Sequence, residues 1–176
     1  MAVRNAPQVR ERIIHWDDPQ QLANAGHATS GRAFLDAILA GDIPHPPICE
    51  LIGFAFEEID DGRVVMTFNP HESQYNPIGM VHGGAISTVL DSVMGCAVHS
   101  MLPRGRGYTT LELKVNMLRA VRTQTGQLHA TGKVLHLGRQ TAMAEASLID
   151  KAGKVYARAT TTCLVVDTQS IEVRYG

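Results

Sequence analysis

Apolar and polar positions along the chain change rhythm several times, and each rhythm predicts an element. From Ser30 onward, Phe34, Leu35, Ile38 and Leu39 recur at helical spacing, and Gly41 stands where a helix would end. Pro44-His45-Pro46-Pro47 then reads as a stiff connector, because each proline fixes its own φ and restricts the residue before it. Leu51 to Ile59 and Arg63 to Asn69 read as two strands joined by the turn Asp60-Asp61-Gly62. A loop through Pro70 and Asn76-Pro77 leads to His82-Gly83-Gly84. From Ala85 to about Met101, the residues Ile86, Val89, Leu90, Val93, Met94, Ala97 and Val98 cover most of a helical circumference. A helix apolar nearly all round is expected to be buried.

After that helix the period drops to two. Between Tyr108 and Leu118, Leu111, Leu113, Val115 and Met117 alternate with Glu112, Lys114 and Asn116, which predicts a strand with one face inside. Gln127 to Leu137 and Gln140 to Ile149 follow as two more strands, separated near Gly138-Arg139. The turn Asp150-Lys151-Ala152-Gly153 leads into a last strand, Val155 to Val166. One buried helix facing a mostly antiparallel sheet is an α+β layer architecture. Residues 1–30 are polar and carry no period, with Trp16 as their only large anchor. They are expected to be partly disordered or to lie across another subunit. The expected division is an N-terminal extension with a short helix, residues 1–45, and one main domain, residues 46–176.

Composition narrows the classes. A length of 176 residues suits one domain with a modest appended segment. Net charge is -1 with the two signs interspersed, which argues against a nucleic-acid partner, since that needs a basic face. The longest apolar stretch, Ala85 to Val98, contains Asp91 and is too short to span a bilayer. The N-terminus has no apolar core of a secretory signal, so a cytoplasmic location without a membrane partner is expected. Cys49, Cys96 and Cys163 are odd in number and far apart, and they read as buried small hydrophobes in a reducing compartment. The histidines show no metal-ligand spacing, so no metal is expected.

Two features could carry chemistry. Asp91 is the only charged residue between Ala85 and Val98. A carboxylate there is costly unless it is paired, solvated in a cleft or retained for function. It could equally lie on a narrow wet stripe beside Ser87 and Ser92. His82-Gly83-Gly84 stands where the helix begins, at unpaired N–H groups and the positive end of the dipole. Glycine there lets a ligand approach the backbone, although a loop needing positive φ would also use it. Gly83 and Asp91 are eight residues apart, about 12 Å of helical rise. That is too far for both to reach one carbonyl in one chain. A second copy with its helix antiparallel could bring Asp91 of one subunit to Gly83 of the other.

The run Tyr75-Asn76-Pro77-Ile78-Gly79-Met80-Val81-His82-Gly83-Gly84-Ala85, followed by Leu90-Asp91-Ser92, resembles the signature of hotdog-fold acyl-CoA thioesterases of the phenylacetate-degradation type. The resemblance continues through Tyr108 to Asn116 and Gly138-Arg139, and covers roughly residues 45 to 166. It implies a hotdog fold, an antiparallel sheet wrapped around a long central helix. It also implies a thioester hydrolase that releases a free acid and coenzyme A without a cofactor. By the same resemblance Asp91 matches the nucleophile or general base, and Gly83 supplies the N–H that polarises the carbonyl. Asn76 matches a residue that orients substrate or water from the subunit opposite the aspartate, and His82 a histidine that supports the loop. Thr110, ahead of Thr109, matches a hydroxyl that holds the water, where some members have serine. Gly84, Thr109, Arg139 and Arg158 are the substrate-contacting candidates, the two arginines for the phosphates of coenzyme A. Arg119, Arg122 and Lys133 are further basic candidates.

The chemistry agrees with these residue types. A thioester is an activated acyl group, so one carboxylate and one oxyanion donor suffice, with Asp91 holding a water or attacking to form a mixed anhydride. A homodimer follows from the spacing and the resemblance, and a homotetramer from the resemblance alone. An R-specific enoyl-CoA hydratase would carry Asp-x-Asn-Pro-x-His, but Gln74 and Gly79 stand at its two catalytic positions. A non-catalytic acyl-CoA-binding protein of the same fold is the other alternative, and it would be expected to lose Asp91. The acyl group is not legible, although Met80, Met94 and Met101 are candidate pocket liners.

Overall fold

The computed structural model describes residues 9–168. Helices α1 (Pro19–Ala28), α2 (Gly31–Ala40) and α3 (Pro47–Ile52) precede strands β1 (Phe54–Asp60) and β2 (Arg63–Phe68). The long helix α4 (Gly83–Ser100) follows, then β3 (Arg106–Met117), β4 (Leu128–Leu137), β5 (Thr141–Asp150) and β6 (Val155–Asp167). The strands form one antiparallel sheet in the order β1-β2-β4-β5-β6-β3. β3 therefore lies at an edge, although it is the first strand after α4.

The core lies between α4 and one face of this sheet. Val89, Leu90, Val93, Met94, Ala97 and Val98 are fully buried against Met66, Phe68, Leu128 and Leu148. Close approach is possible because the sheet is cut low beneath the helix. Ala142, Ala144 and Ala146 line β5, and Gly132 sits in β4. A Cβ added at Gly132 would stand 2.7 Å from the Val93 carbonyl carbon and 3.0 Å from the Met94 nitrogen. The helix backbone thus rests directly on the strand.

α2 begins where its sequence predicts. The Ser30 hydroxyl accepts from the Ala33 N–H at 3.3 Å, and Gly41 ends the helix in the left-handed region at φ 80°. Leu35 and Ile38 are buried, and α2 packs on α4 and β1.

Four expectations need correcting. Within the stretch taken as patternless, Pro19–Ala28 is a helix capped by Asp18, whose carboxylate accepts from the Gln20 N–H at 2.9 Å. It buries only Leu22, so it carries almost no apolar period. Trp16 is no anchor, being 65% exposed. Leu51 belongs to α3, not to a strand: Pro47 opens that helix, Gly53 at φ 82° closes it, and β1 starts at Phe54. Leu111 does not point inward, because a bulge between Thr110 and Glu112 interrupts the alternation and leaves it 59% exposed. Residues 1–8 of the predicted extension lie outside the described residues.

Cys49 and Cys163 are buried and Cys96 half-buried, and all three are free. Burial pushes the Cys49 and Cys96 thiols up to about 12. Among the described residues no helix is long and apolar enough to cross a membrane.

Candidate active site

α4 begins two residues earlier than its apolar run suggests, with His82 as its N-cap. His82 Nδ1 accepts from the Gly84 N–H at 2.9 Å. This bond separates the two glycines chemically. The Gly84 donor is occupied, while Gly83 is the first residue of the helix, whose N–H has no partner within it. No hydrogen bond to the Gly83 N–H occurs among the described residues. It opens onto a groove of about 310 Å³ lined by Asn76, Met80, Ile86, Met117 and Arg119. Unscreened helix N–H groups at the positive end of the dipole suit a developing oxyanion.

Asn76 reaches the same groove from a tight loop. Its side-chain oxygen accepts from the N–H groups of Ile78 at 3.1 Å and Met80 at 3.2 Å. Its backbone N–H donates to the Met80 carbonyl at 2.8 Å, and Gly79 supplies the left-handed residue, φ 77°, that the turn requires. Because the oxygen is committed twice, the amide orientation is set and the Nδ2 amino group remains as the donor.

The loop is locked to α4 by a residue that sequence reasoning used only to exclude the hydratase. Gln74 is buried. Its carbonyl accepts from the His82 N–H at 2.8 Å, its side-chain oxygen accepts from the His71 N–H at 2.9 Å, and its amino group donates to the Ile52 carbonyl. Tyr75 adds a second tie, its hydroxyl accepting from the Thr123 N–H at 2.8 Å. No periodicity marks Gln74; a polar side chain beside a proline-bounded loop is its only sequence trace.

The carboxylate stands two turns further on. Gly83, Ser87, Asp91, Gly95 and His99 recur every four residues along one slowly drifting stripe of α4. The inner face of β3 covers this stripe. Met117 lies over Gly83, Thr110 meets Asp91, and Tyr108 lies over Gly95. The Thr110 hydroxyl donates to one Asp91 oxygen at 2.9 Å. Thr109, one residue away, projects to the other side of the strand and is exposed.

One protomer therefore brings together Asn76, His82 and Gly83 at the start of α4, and separately Asp91 and Thr110 at its middle. It does not join the two groups, which about 12 Å of helical rise keeps apart. Nor do the two arginine candidates meet. Arg139 lies in the β4–β5 turn, where its carbonyl accepts from the Arg106 guanidinium at 2.7 Å. Arg158 pairs with Ser147 and Asn116, six residues along β6 from Leu164, the partner of Thr141. That is about 20 Å of strand. Arg119 lines the Gly83 groove, and its guanidinium donates to the Val155 carbonyl. Of the three methionines, Met80 lines the groove, Met94 is core, and Met101 is exposed.

One long helix lodged against a six-stranded antiparallel sheet in this order is the hotdog fold, and proteins of known family share it. Residues 78–157 match the Thioesterase superfamily. A protein of Pseudomonas aeruginosa, named provisionally as an esterase, is 30% identical over 120 residues, 68% of this chain and 81% of that protein. The chain belongs to the thioesterase superfamily, a class of thioester hydrolases. The 1,4-dihydroxy-2-naphthoyl-CoA hydrolase of Listeria monocytogenes is 24% identical over 106 residues, covering 60% of this chain and 85% of its own. A solved structure from Ralstonia eutropha, a phenylacetic acid degradation-related protein described provisionally as a thioesterase, superposes with a TM-score of 0.68. It is 27% identical and covers 74% of this chain and 98% of its own.

Proposed function

We propose that this chain is an acyl-CoA thioesterase whose site is completed by a second copy. The observation that carries the reading is the division of the machinery along α4. Gly83 offers a free N–H beside the Asn76 amide, and Asp91, held by Thr110, waits two turns away. β3 supports the dimer. It is an edge strand of 12 residues with Leu111, Met117 and the following Leu118 between 44% and 59% exposed. Such an edge is a template for another strand. Pairing it antiparallel with its own copy sets Asp91 and Thr110 of one subunit against Gly83 and Asn76 of the other. A homotetramer of two such pairs in the cytoplasm completes the assembly in this reading.

In the reaction, the thioester oxygen accepts from the Gly83 N–H as negative charge develops on it. The Asn76 amino group aligns the substrate or the water, and His82 holds the turn. Thr110 occupies one Asp91 oxygen, leaving the other to take a proton from the attacking water. Collapse of the tetrahedral adduct breaks the C–S bond and expels the coenzyme A thiolate, which takes up a proton. If Asp91 itself attacks, a mixed anhydride forms and water then cleaves it. Single turnover in ¹⁸O-water separates the routes, since hydrolysis of the anhydride at the aspartyl carbon would leave label in Asp91. Gly84 and Thr109 flank the substrate, and Arg139 or Arg158, too far apart along one chain to share a coenzyme A, meets its phosphates. The named CoA-thioester substrate of the Listeria relative supports this class of substrate.

The test is thiol release over a panel of acyl-CoAs. Wild type is expected to turn over at least one member. Asp91→Ala and Asp91→Asn should lose roughly 10²- to 10⁴-fold. Tight acyl-CoA binding with no turnover would replace this reading with that of a non-catalytic binding protein.

A further inference from the structure

We propose that the acyl group runs from Asp91 toward the C-terminal end of α4 and that Tyr108 closes this channel, making Tyr108 the residue that limits acyl length. This rests on the thioesterase reading and deepens it. Next along the Asp91 stripe stands Gly95, about 6 Å further up the helix. The space that a side chain would take at Gly95 is filled by Tyr108: a Cβ there would stand 2.5 Å from the tyrosine Cε2. The ring therefore lies against the helix backbone itself, one turn beyond the carboxylate.

Behind the ring lies a groove of about 300 Å³, open to solvent, between α1, α2, the end of α4 and the start of β3, lined by Leu22, Phe34, His99, Arg106 and Tyr108. Its wall is a chain of rings. Phe34 and His99 have centroids 5.6 Å apart, and His99 meets Tyr108 edge-on at 5.8 Å. Tyr108 is thus a partition. Two residues away along β3, Thr110 holds Asp91; across the ring is space of the size that ligand pockets begin at, roughly 300 Å³. On the N-terminal side of Asp91, by contrast, β3 presents Leu113 and Val115, and the stripe leads to the Gly83 groove. An acyl chain leaving the carbonyl in the C-terminal direction meets the tyrosine after about one helical turn. Short acyl groups fit this distance and long ones do not. Removing the ring opens the channel into this groove.

The experiment compares kcat/KM for acetyl-, butyryl-, hexanoyl-, octanoyl- and decanoyl-CoA in wild type, Tyr108→Phe, Tyr108→Leu and Tyr108→Ala. Wild type should show a sharp fall of about tenfold or more at one step of the series, in keeping with what added methylenes cost in a closed pocket. Tyr108→Phe keeps the ring and should keep the step. Tyr108→Ala should move it to longer chains. Tyr108→Leu, which preserves apolar packing if the alanine variant unfolds by circular dichroism, should move it in the same direction. An unchanged step in both truncations, or a wild type that prefers the longest chains, overturns the proposal. Calorimetry with the matching non-cleavable thioether analogues reads the same profile without turnover. A wild type that binds the short analogues but cleaves no thioester would sink the enzyme reading while leaving the channel intact. If no analogue binds at any length, both fall.

Discussion

The Thr110 hydroxyl donates to an Asp91 carboxylate oxygen at 2.9 Å, tying the edge strand β3 to the middle of α4. The bond does two things. It restrains a carboxylate that would otherwise rotate, and it leaves one oxygen for a water or a carbonyl carbon. Hydrogen bonds to charged groups contribute about 1.5–3 kcal/mol. Thr110→Val should therefore lower kcat by roughly 10- to 100-fold with little change in KM, and Thr110→Ser should restore most of it. Equal activity in the valine and serine variants would remove Thr110 from the mechanism.

Gly83 permits an unusually clean deletion. As the first residue of α4 it occupies the position where proline is tolerated, and His82 before it has φ -61° and ψ 137°, the extended geometry that proline demands of its predecessor. Gly83→Pro removes one N–H and should leave the helix intact. Loss of an oxyanion donor is expected to cost roughly 10²- to 10³-fold in kcat. Unaltered turnover in a folded Gly83→Pro protein would show that this N–H is not the donor.

The division of residues along α4 makes complementation decisive. Asp91→Asn and Gly83→Pro should each be nearly inactive alone. Unfolded together and refolded as a mixture, they should recover up to about a quarter of wild-type activity, since half the dimers of a two-fold assembly carry both lesions in one of their two sites and neither in the other. If each chain held a complete site, mixing would recover nothing.

Gln74 is expected to act on the site through the Asn76 loop. Gln74→Leu keeps the volume but strands the Ile52 carbonyl and the His71 N–H, each a polar group losing its partner. A loss of about 1–3 kcal/mol in urea unfolding is expected. Amide exchange should accelerate at Asn76 to His82 before it does in the sheet.

His99 sets a direction for the pH dependence of stability. Burial lowers its pKa from the ordinary 6.5, so the folded protein holds the imidazole neutral between Phe34 and Tyr108. The unfolded chain binds the proton first as pH falls. The contribution is therefore complete above 6.5 and is lost as pH drops from there through the folded pKa. His99→Phe keeps an aromatic ring and removes the titration. Its thermal midpoint should fall less than that of wild type between about pH 7 and pH 5. Parallel curves would assign the acid sensitivity to other groups.

Local signals carried far in this chain. The Ser30 cap, the Gly41 stop, the turns at Asp60-Gly62 and Asp150-Gly153, and the apolar run of α4 each depend on a few neighbouring residues, so they were legible without a fold. The separation of Gly83 from Asp91 was legible for the same reason, because rise per residue is a property of the helix itself. α1 carries no such signal, because a helix burying only Leu22 has no period to show.

Tertiary structure decided which groups face one another. Thr110 meets Asp91 and Thr109 does not, because β3, although it follows α4 directly in the chain, is held in a register set by β6 and altered by a bulge. The Gly83 donor is open and the Gly84 donor closed because His82 folds back onto the second. The Gln74 clamp and the Tyr108 partition depend on contacts across 22 residues or on a helix and strand meeting face to face. Periodicity reports which face a residue takes; only long-range pairing determines what stands opposite it.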